Sequence, residues 1–239
     1  MMYRILPVVL FFIMSFSTTT TTDVRTITPT KLIAAETRIT FEEEVASIYS
    51  KLNTQNLALP KLQSFTKALE GYYKLKAKGL VTKEILTLVD FSLSSNTKRL
   101  WIIDMSTNTI LYNTLVAHGR NTGDEYANSF SNTGESFKSS LGFYTTGEVY
   151  NGKHGMSMKL DGLEPGVNNN ARNRAVVMHG ADYVSDSFIK NHSRLGRSLG
   201  CPAIPVEMTP EIINTIKNKS CLFIYHPSRD SKPASKLLS

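Results

Sequence analysis

Ile85-Leu86-Thr87-Leu88-Val89-Asp90-Phe91-Ser92-Leu93, Arg99-Leu100-Trp101-Ile102-Ile103-Asp104-Met105 and Ile110-Leu111-Tyr112-Asn113-Thr114-Leu115-Val116-Ala117 are three apolar runs rich in β-branched and aromatic residues. Ser94-Ser95-Asn96 and Ser106-Thr107-Asn108-Thr109 separate them, and both have turn composition. Three strands joined by short turns are a β-meander, so the centre of the chain reads as sheet. Further strands are expected around 141–150, 156–160, 175–179 and 221–226. Between the last two, Thr209-Pro210 caps a short helix that carries Ile212, Ile213 and Ile216.

Upstream the period changes from strand to helix. Thr40 followed three residues later by Glu43 is a capping box, and Phe41, Val45, Ile48 and Leu52 continue as an apolar stripe. A second helix opens near Pro60, runs through Leu62, Phe65, Leu69 and Tyr73, and stops at Gly79. Further back, Met1-Met2-Tyr3-Arg4, the apolar run from Ile5 to Phe16 and the threonines Thr18 to Thr22 have the layout of a secretory signal peptide. The run is too short for a spanning helix, which needs roughly 20 apolar residues. An uncleaved interfacial anchor is the alternative, since no A-x-A cleavage pattern follows. The expected organisation is a signal peptide over 1–22, a Thr-rich tether over 23–38, a helical segment over 39–80, a catalytic domain over 81–228 and a polar tail over 229–239.

The chain has 239 residues, 41% hydrophobic and 20% charged. That suits one globular domain with extra segments and excludes collagen, coiled coil and multispan membrane folds. A formal charge of +7 suits an acidic partner: anionic wall polymer, lipid head groups or nucleic acid. Nucleic acid rests on charge alone, because no basic run is interleaved with aromatics. No pattern in the chain specifies an oligomer. Two cysteines, Cys201 and Cys221, are too few for a disulfide framework or a Cys-rich zinc site. The H-x-x-x-H, H-E-x-x-H and C-x-x-C spacings are also missing, so no metal or other cofactor is expected.

Cys201 lies in Arg197-Ser198-Leu199-Gly200-Cys201-Pro202-Ala203, where Gly200 permits a tight turn and Pro202 fixes the chain beyond it. Such a turn exposes the sulfur and aims successive amides, those of Gly200 and Cys201, at one point as an oxyanion hole. A thiol nucleophile needs a base. His179 ends the apolar run Ala175-Val176-Val177-Met178, which places it at a strand end facing a cleft, with the Gly180 carbonyl as the expected holder of its second ring nitrogen. His118 and His154 each precede a glycine and are candidates for the same cleft, while His192 sits in a polar stretch that reads as a loop or helix end. From the residues alone, Cys201 is either a nucleophile or a small buried hydrophobe. Cys221, inside Cys221-Leu222-Phe223-Ile224-Tyr225, reads as a buried strand cysteine, and a Cys201–Cys221 bridge is the alternative.

His179-Gly180 followed 22 positions later by Cys201 in Ser198-Leu199-Gly200-Cys201 resembles the YkuD-type L,D-transpeptidase family, in its S-x-G-C-P-A branch. Supporting stretches are 117–123, 139–144, 153–155 and 160–166. The resemblance implies a mostly β, sandwich-like catalytic fold with short helices. It implies Cys201 as nucleophile, His179 as general base held by Gly180, Gly200 and Cys201 amides as oxyanion donors, and Arg197, Ser198, His154 and His118 as substrate contacts. It also implies peptidoglycan stem peptides as partners and an exported, envelope location. Leu199 and Ala203 stand where many members carry polar groups, with Arg197, Arg194 or Arg174 as replacements. A hydrolase with the same dyad and a catalytically silent wall-binding module are the alternatives.

Overall fold

The computed structural model describes residues 39–229, together with Met14, Ser15 and Ser17. The signal peptide, the tether and the tail beyond Arg229 otherwise fall outside the described residues, and the fold below belongs to the unit that begins at Ile39. Helices α1 (Phe41–Ser50) and α2 (Leu62–Ala77) come first, then strands β1 (Ile85–Asp90), β2 (Leu100–Asp104) and β3 (Thr109–Thr114). A long irregular stretch leads to β4 (Gly142–Gly152), β5 (Gly155–Gly162) and β6 (Val177–Gly180). After α3 (Asp186–His192) come β7 (Ala203–Ile204), α4 (Thr209–Ile216) and β8 (Cys221–Tyr225). The fold is mostly β, as expected.

Among the described residues the strands form one eight-stranded sheet in the order β3-β2-β1-β8-β4-β5-β6-β7. The β1–β2–β3 meander is antiparallel, whereas β8 returns from the end of the chain to pair in parallel with β1. Just past β3, Ala117 exchanges hydrogen bonds with Ala203 of β7, so the two ends of the sheet meet and the sheet curls almost into a barrel. The expected sandwich is thus one sheet folded on itself.

Alternation along the central strands shows what that curl encloses. Val89, Leu100, Ile102, Leu222 and Ile224 face inward, against Tyr144, Met158, Leu160 and Met178. Their neighbours Leu86, Leu88, Trp101, Ile103, Phe223 and Tyr225 face outward and are also buried, because α2 packs on β1 and β8 and the residues ahead of it, with Ala58 O accepting from Trp101 Nε1, help to cover β2. Both faces being apolar explains why these strands read as continuous hydrophobic runs rather than alternating ones.

The capping box is present: the Thr40 hydroxyl accepts from Glu43 N at 3.2 Å, and the Glu43 carboxylate accepts from Thr40 N at 2.8 Å. On α2, Phe65, Ala68, Leu69, Tyr72 and Leu75 make the buried stripe. Gly71 lies within it because the Phe143 ring, stacked at 4.1 Å on Phe223, occupies the space of a side chain. A Cβ on Gly71 would stand 1.9 Å from Phe143 Cζ. Gly71→Ala is therefore expected to destabilise the protein by about 1–3 kcal/mol, the overpacking cost outweighing the roughly 1 kcal/mol gained in helix propensity. Thermal unfolding checks this, and an unchanged or raised midpoint contradicts the packing account.

Candidate active site

Cys201, His179, His154, Arg197 and Ser198 line one cleft of about 470 Å³. The sheet brings them together. β6 pairs in parallel with β7, His179 opposite Ala203, so His179 and the residue two positions past Cys201 share a register. On the other side β5 pairs with β6, and Ser157 lies opposite His179.

His179 is buried, and its Nδ1 lies 2.9 Å from the Gly180 carbonyl. A carbonyl only accepts, so Nδ1 carries the hydrogen and Nε2 keeps its lone pair for a proton from elsewhere. Burial holds the His179 pKa below the ordinary histidine value; the Gly180 carbonyl opposes this and the neighbouring His154 adds to it.

The cysteine turn is built around a hydroxyl. Ser198 Oγ accepts from Gly200 N at 3.0 Å and donates to the Cys201 carbonyl at 2.6 Å. Gly200 has φ of 126°, and a side chain there would meet the Lys138 carbonyl at 2.9 Å, so only glycine fits. Behind the turn Ser139 Oγ donates to Gly200 O, and Ser198 N donates to the His118 carbonyl. One expectation is corrected here: the Gly200 amide is spent on Ser198 and is not free as an oxyanion donor. The Cys201 amide lies close enough to its own sulfur to lower the thiol pKa.

Cys201 Sγ is half-buried, receives the Val177 N–H at 3.4 Å and donates to the Ala175 carbonyl at 3.7 Å. Ala175 is a non-glycine residue at φ 54°, the conformation that turns the chain into β6. Burial raises the Cys201 pKa, while the Val177 N–H and the Arg174 charge pull it down. Burial therefore disfavours the charged form of both side chains.

The charges of the cleft are one-sided. Lys153, Arg174 and Arg197 line it, and no aspartate or glutamate does. Arg174 is tied to Ser131 O, Ser136 Oγ, Lys138 O and Ser140 Oγ, so it clamps the segment under the cysteine turn. Arg197 Nη1 is held to Arg120 O, Gly123 O and Asp124. Arg194 donates to its neighbour's carbonyl, Leu195 O. Leu199 lines the cleft and is 61% exposed. Tyr150 and Tyr183 also line it and carried no motif in the sequence, and burial with the Cys201 charge pushes Tyr183 up to about 12.

His118 is a second correction. It lies outside the cleft, 1% exposed, where its Nδ1 accepts from Arg99 Nη2 at 2.8 Å and its Nε2 faces Gly123 O. Burial and the Arg99 charge push its pKa down to about 4, so it is a neutral structural acceptor. His192 caps α3 through Phe188 O and stacks on Phe188. Cys221 is fully buried on the outer face of the sheet, and both cysteines are free thiols.

The sequence model of the L,D-transpeptidase catalytic domain matches residues 58–225, more than half of the chain. The chain belongs to the L,D-transpeptidase catalytic domain family. Solved structures similar to this family member include an L,D-transpeptidase from Mycobacterium smegmatis, with 10% identity, a TM-score of 0.37, and coverage of 60% of this chain and 59% of that one. Another is the helical cell shape determining protein Pgp2 from Campylobacter jejuni, with 12% identity, a TM-score of 0.39, and 66% and 56% coverage. A third is an L,D-transpeptidase from Xylanimonas cellulosilytica, with 9% identity, a TM-score of 0.35, and 76% and 93% coverage. The chain thus spans under two thirds of the length of the first two. No curated protein matches.

Proposed function

We propose that this protein is a cysteine-dependent acyltransferase acting on the tetrapeptide stems of peptidoglycan. The observation that carries the reading is the presence, in one cleft of a family member, of the Cys201 thiol and of a histidine whose Nδ1 is locked on Gly180 O. That lock leaves Nε2 as the base.

In the first step Cys201 Sγ bonds to the carbonyl carbon at the L-centre of the third residue, and the thiol proton passes to His179 Nε2. The carbonyl oxygen becomes an oxyanion that the Cys201 amide can receive. Collapse breaks the bond to the terminal D-alanine, whose amine leaves with the proton from His179, and a thioester remains. An amine of a neighbouring stem then attacks the thioester, gives its proton to His179 and releases the sulfur, which takes the proton back. The product is a 3→3 crosslink; water in place of the amine gives a trimmed tripeptide. Holding the amine beside the thioester favours aminolysis, since proximity is worth roughly 7–11 kcal/mol in well-oriented cases. A cleft lined by cations and no carboxylate suits a stem that carries several carboxylates.

Residues 81–228 are assigned to catalysis and 39–80 to helices packed on the outer face of the sheet. Export belongs to the same reading, supported by the pattern of residues 1–22. Among the described residues no helix is long and apolar enough to cross a membrane.

The test is product analysis of the wild-type protein on a disaccharide-tetrapeptide. Release of D-alanine with a dimer lacking one D-alanine is the expected result. Tripeptide without dimer assigns the hydrolase, and no release of D-alanine by folded, reduced protein overturns the reading.

A further inference from the structure

The β4–β5 hairpin turns at Gly152-Lys153-His154-Gly155, and its tip reaches over the cleft. Its place relative to His179 is fixed by register. Ser157 pairs across β5 and β6 with His179, and the Ser157 hydroxyl donates back to the Gly155 carbonyl at 3.1 Å, a bond within β5 that fixes the end of the turn next to the residue paired with His179. From that turn the exposed His154 ring lies on the buried His179 ring, with centroids 4.5 Å apart and planes 21° from parallel.

We propose that His154 is a positioning residue for His179: its stacked ring holds the plane of the base, so that it is not a substrate contact. This rests on His179 being the general base. Two restraints then define the imidazole. The Gly180 carbonyl fixes Nδ1, and without a ring above it the other face of His179 opens to cleft water. Aromatic rings stacked at this distance attract each other beyond the area they bury.

An aromatic residue would stack as well, so the choice of a histidine adds a second effect. A proton on His154 opposes a proton on His179, which is one of the causes holding the His179 pKa down. The other titratable groups facing the pair from the cleft walls are Tyr150 and Lys153 on the hairpin, Arg174 ahead of β6, Tyr183 beyond it, and Arg197 and Cys201 on the cysteine turn. None is a carboxylate that would cancel the effect. His179 accepts the thiol proton only when neutral, so activity falls as pH drops through its pKa. Removing the His154 charge raises that pKa and moves the acid limb to higher pH.

The experiment is steady-state D-alanine release across pH for the wild type, His154→Ala, His154→Phe and His179→Ala. His154→Ala is expected to lose roughly tenfold in kcat with KM unchanged, the size of a misoriented base. His154→Phe, which keeps a ring, is expected to recover most of that kcat at alkaline pH, where His179 is neutral in every variant. Both are expected to shift the acid limb of kcat/KM upward. A raised KM with kcat and the acid limb unmoved makes His154 a substrate contact and overturns the proposal, as do two variants identical to wild type. Full activity in His179→Ala instead overturns the assignment of the base, a separate failure.

Discussion

Cys201→Ala is expected to lose D-alanine release by at least about 10³-fold, because without the sulfur no covalent intermediate forms and only binding and dipoles remain. The fold should be untouched. The side chain is half-buried, and its two polar contacts are long sulfur bonds to Val177 N and Ala175 O. Intact mass after mixing with the tetrapeptide is expected to show an acyl adduct on the wild type and none on the variant. The resting state of the thiol can be read separately. Since burial raises the Cys201 pKa, alkylation by iodoacetamide is expected to be slow near neutral pH and to climb only above the ordinary thiol value. Cys221, buried on the outer face of the sheet, should stay unlabelled in the folded protein. Turnover retained in Cys201→Ala with a native melting curve moves the nucleophile elsewhere.

What could be read in advance follows the range of the interactions. The capping box at Thr40, helix α2 and the three meander strands depend on neighbours a few residues away and appear where the local pattern put them, although of the expected α2 stripe only Phe65 and Leu69 are fully buried, with Leu62 exposed and Tyr72 rather than Tyr73 in the core. β7 is two residues long and exists because β6 and Ala117 flank it, so no periodicity could reveal it. The parallel pairing of β8 with β1 joins residues more than 130 apart and leaves no local trace either.

The cleft divides the same way. Cys201 and His179 were visible because a tight turn and a strand end have local signatures, and the Gly180 carbonyl lies one residue from the ring it holds. His118 misled because a histidine before a glycine looks alike at a cleft mouth and in a core. Only the tertiary fold sets Arg99 against it. The Gly200 amide misled in a similar way: glycine supplies the turn, but the serine two residues earlier takes the N–H that the turn exposes.

Arg99→Met is expected to cost about 3–5 kcal/mol, a large share of the 5–15 kcal/mol that holds a domain of this kind together. The guanidinium is fully buried on the inner side of the sheet, with its face over the Phe91 ring at 4.8 Å. It donates to Val116 O through Nε and Nη2, to Leu93 O through Nη1 at 2.7 Å and to His118 Nδ1 through Nη2. Burial lowers its pKa to about 9, so it is still charged at neutral pH. Methionine fills the stem but donates nothing, leaving three buried acceptors at about 1–3 kcal/mol each. Asp90 adds to the cost, since its charge favours the guanidinium and its Oδ2 has no partner. Adding Asp90→Asn to Arg99→Met should therefore recover part of the loss, a coupling a double-mutant cycle in urea measures. On the order of 10 °C should be lost from the melting midpoint. Activity is expected to fall before the midpoint is reached, because His118, which Arg99 holds, supplies the carbonyl that receives Ser198 N behind the cysteine turn. An Arg99→Met protein that melts like the wild type would show that the buried cation contributes nothing net, and that the turn is held by Ser198 and Ser139 alone.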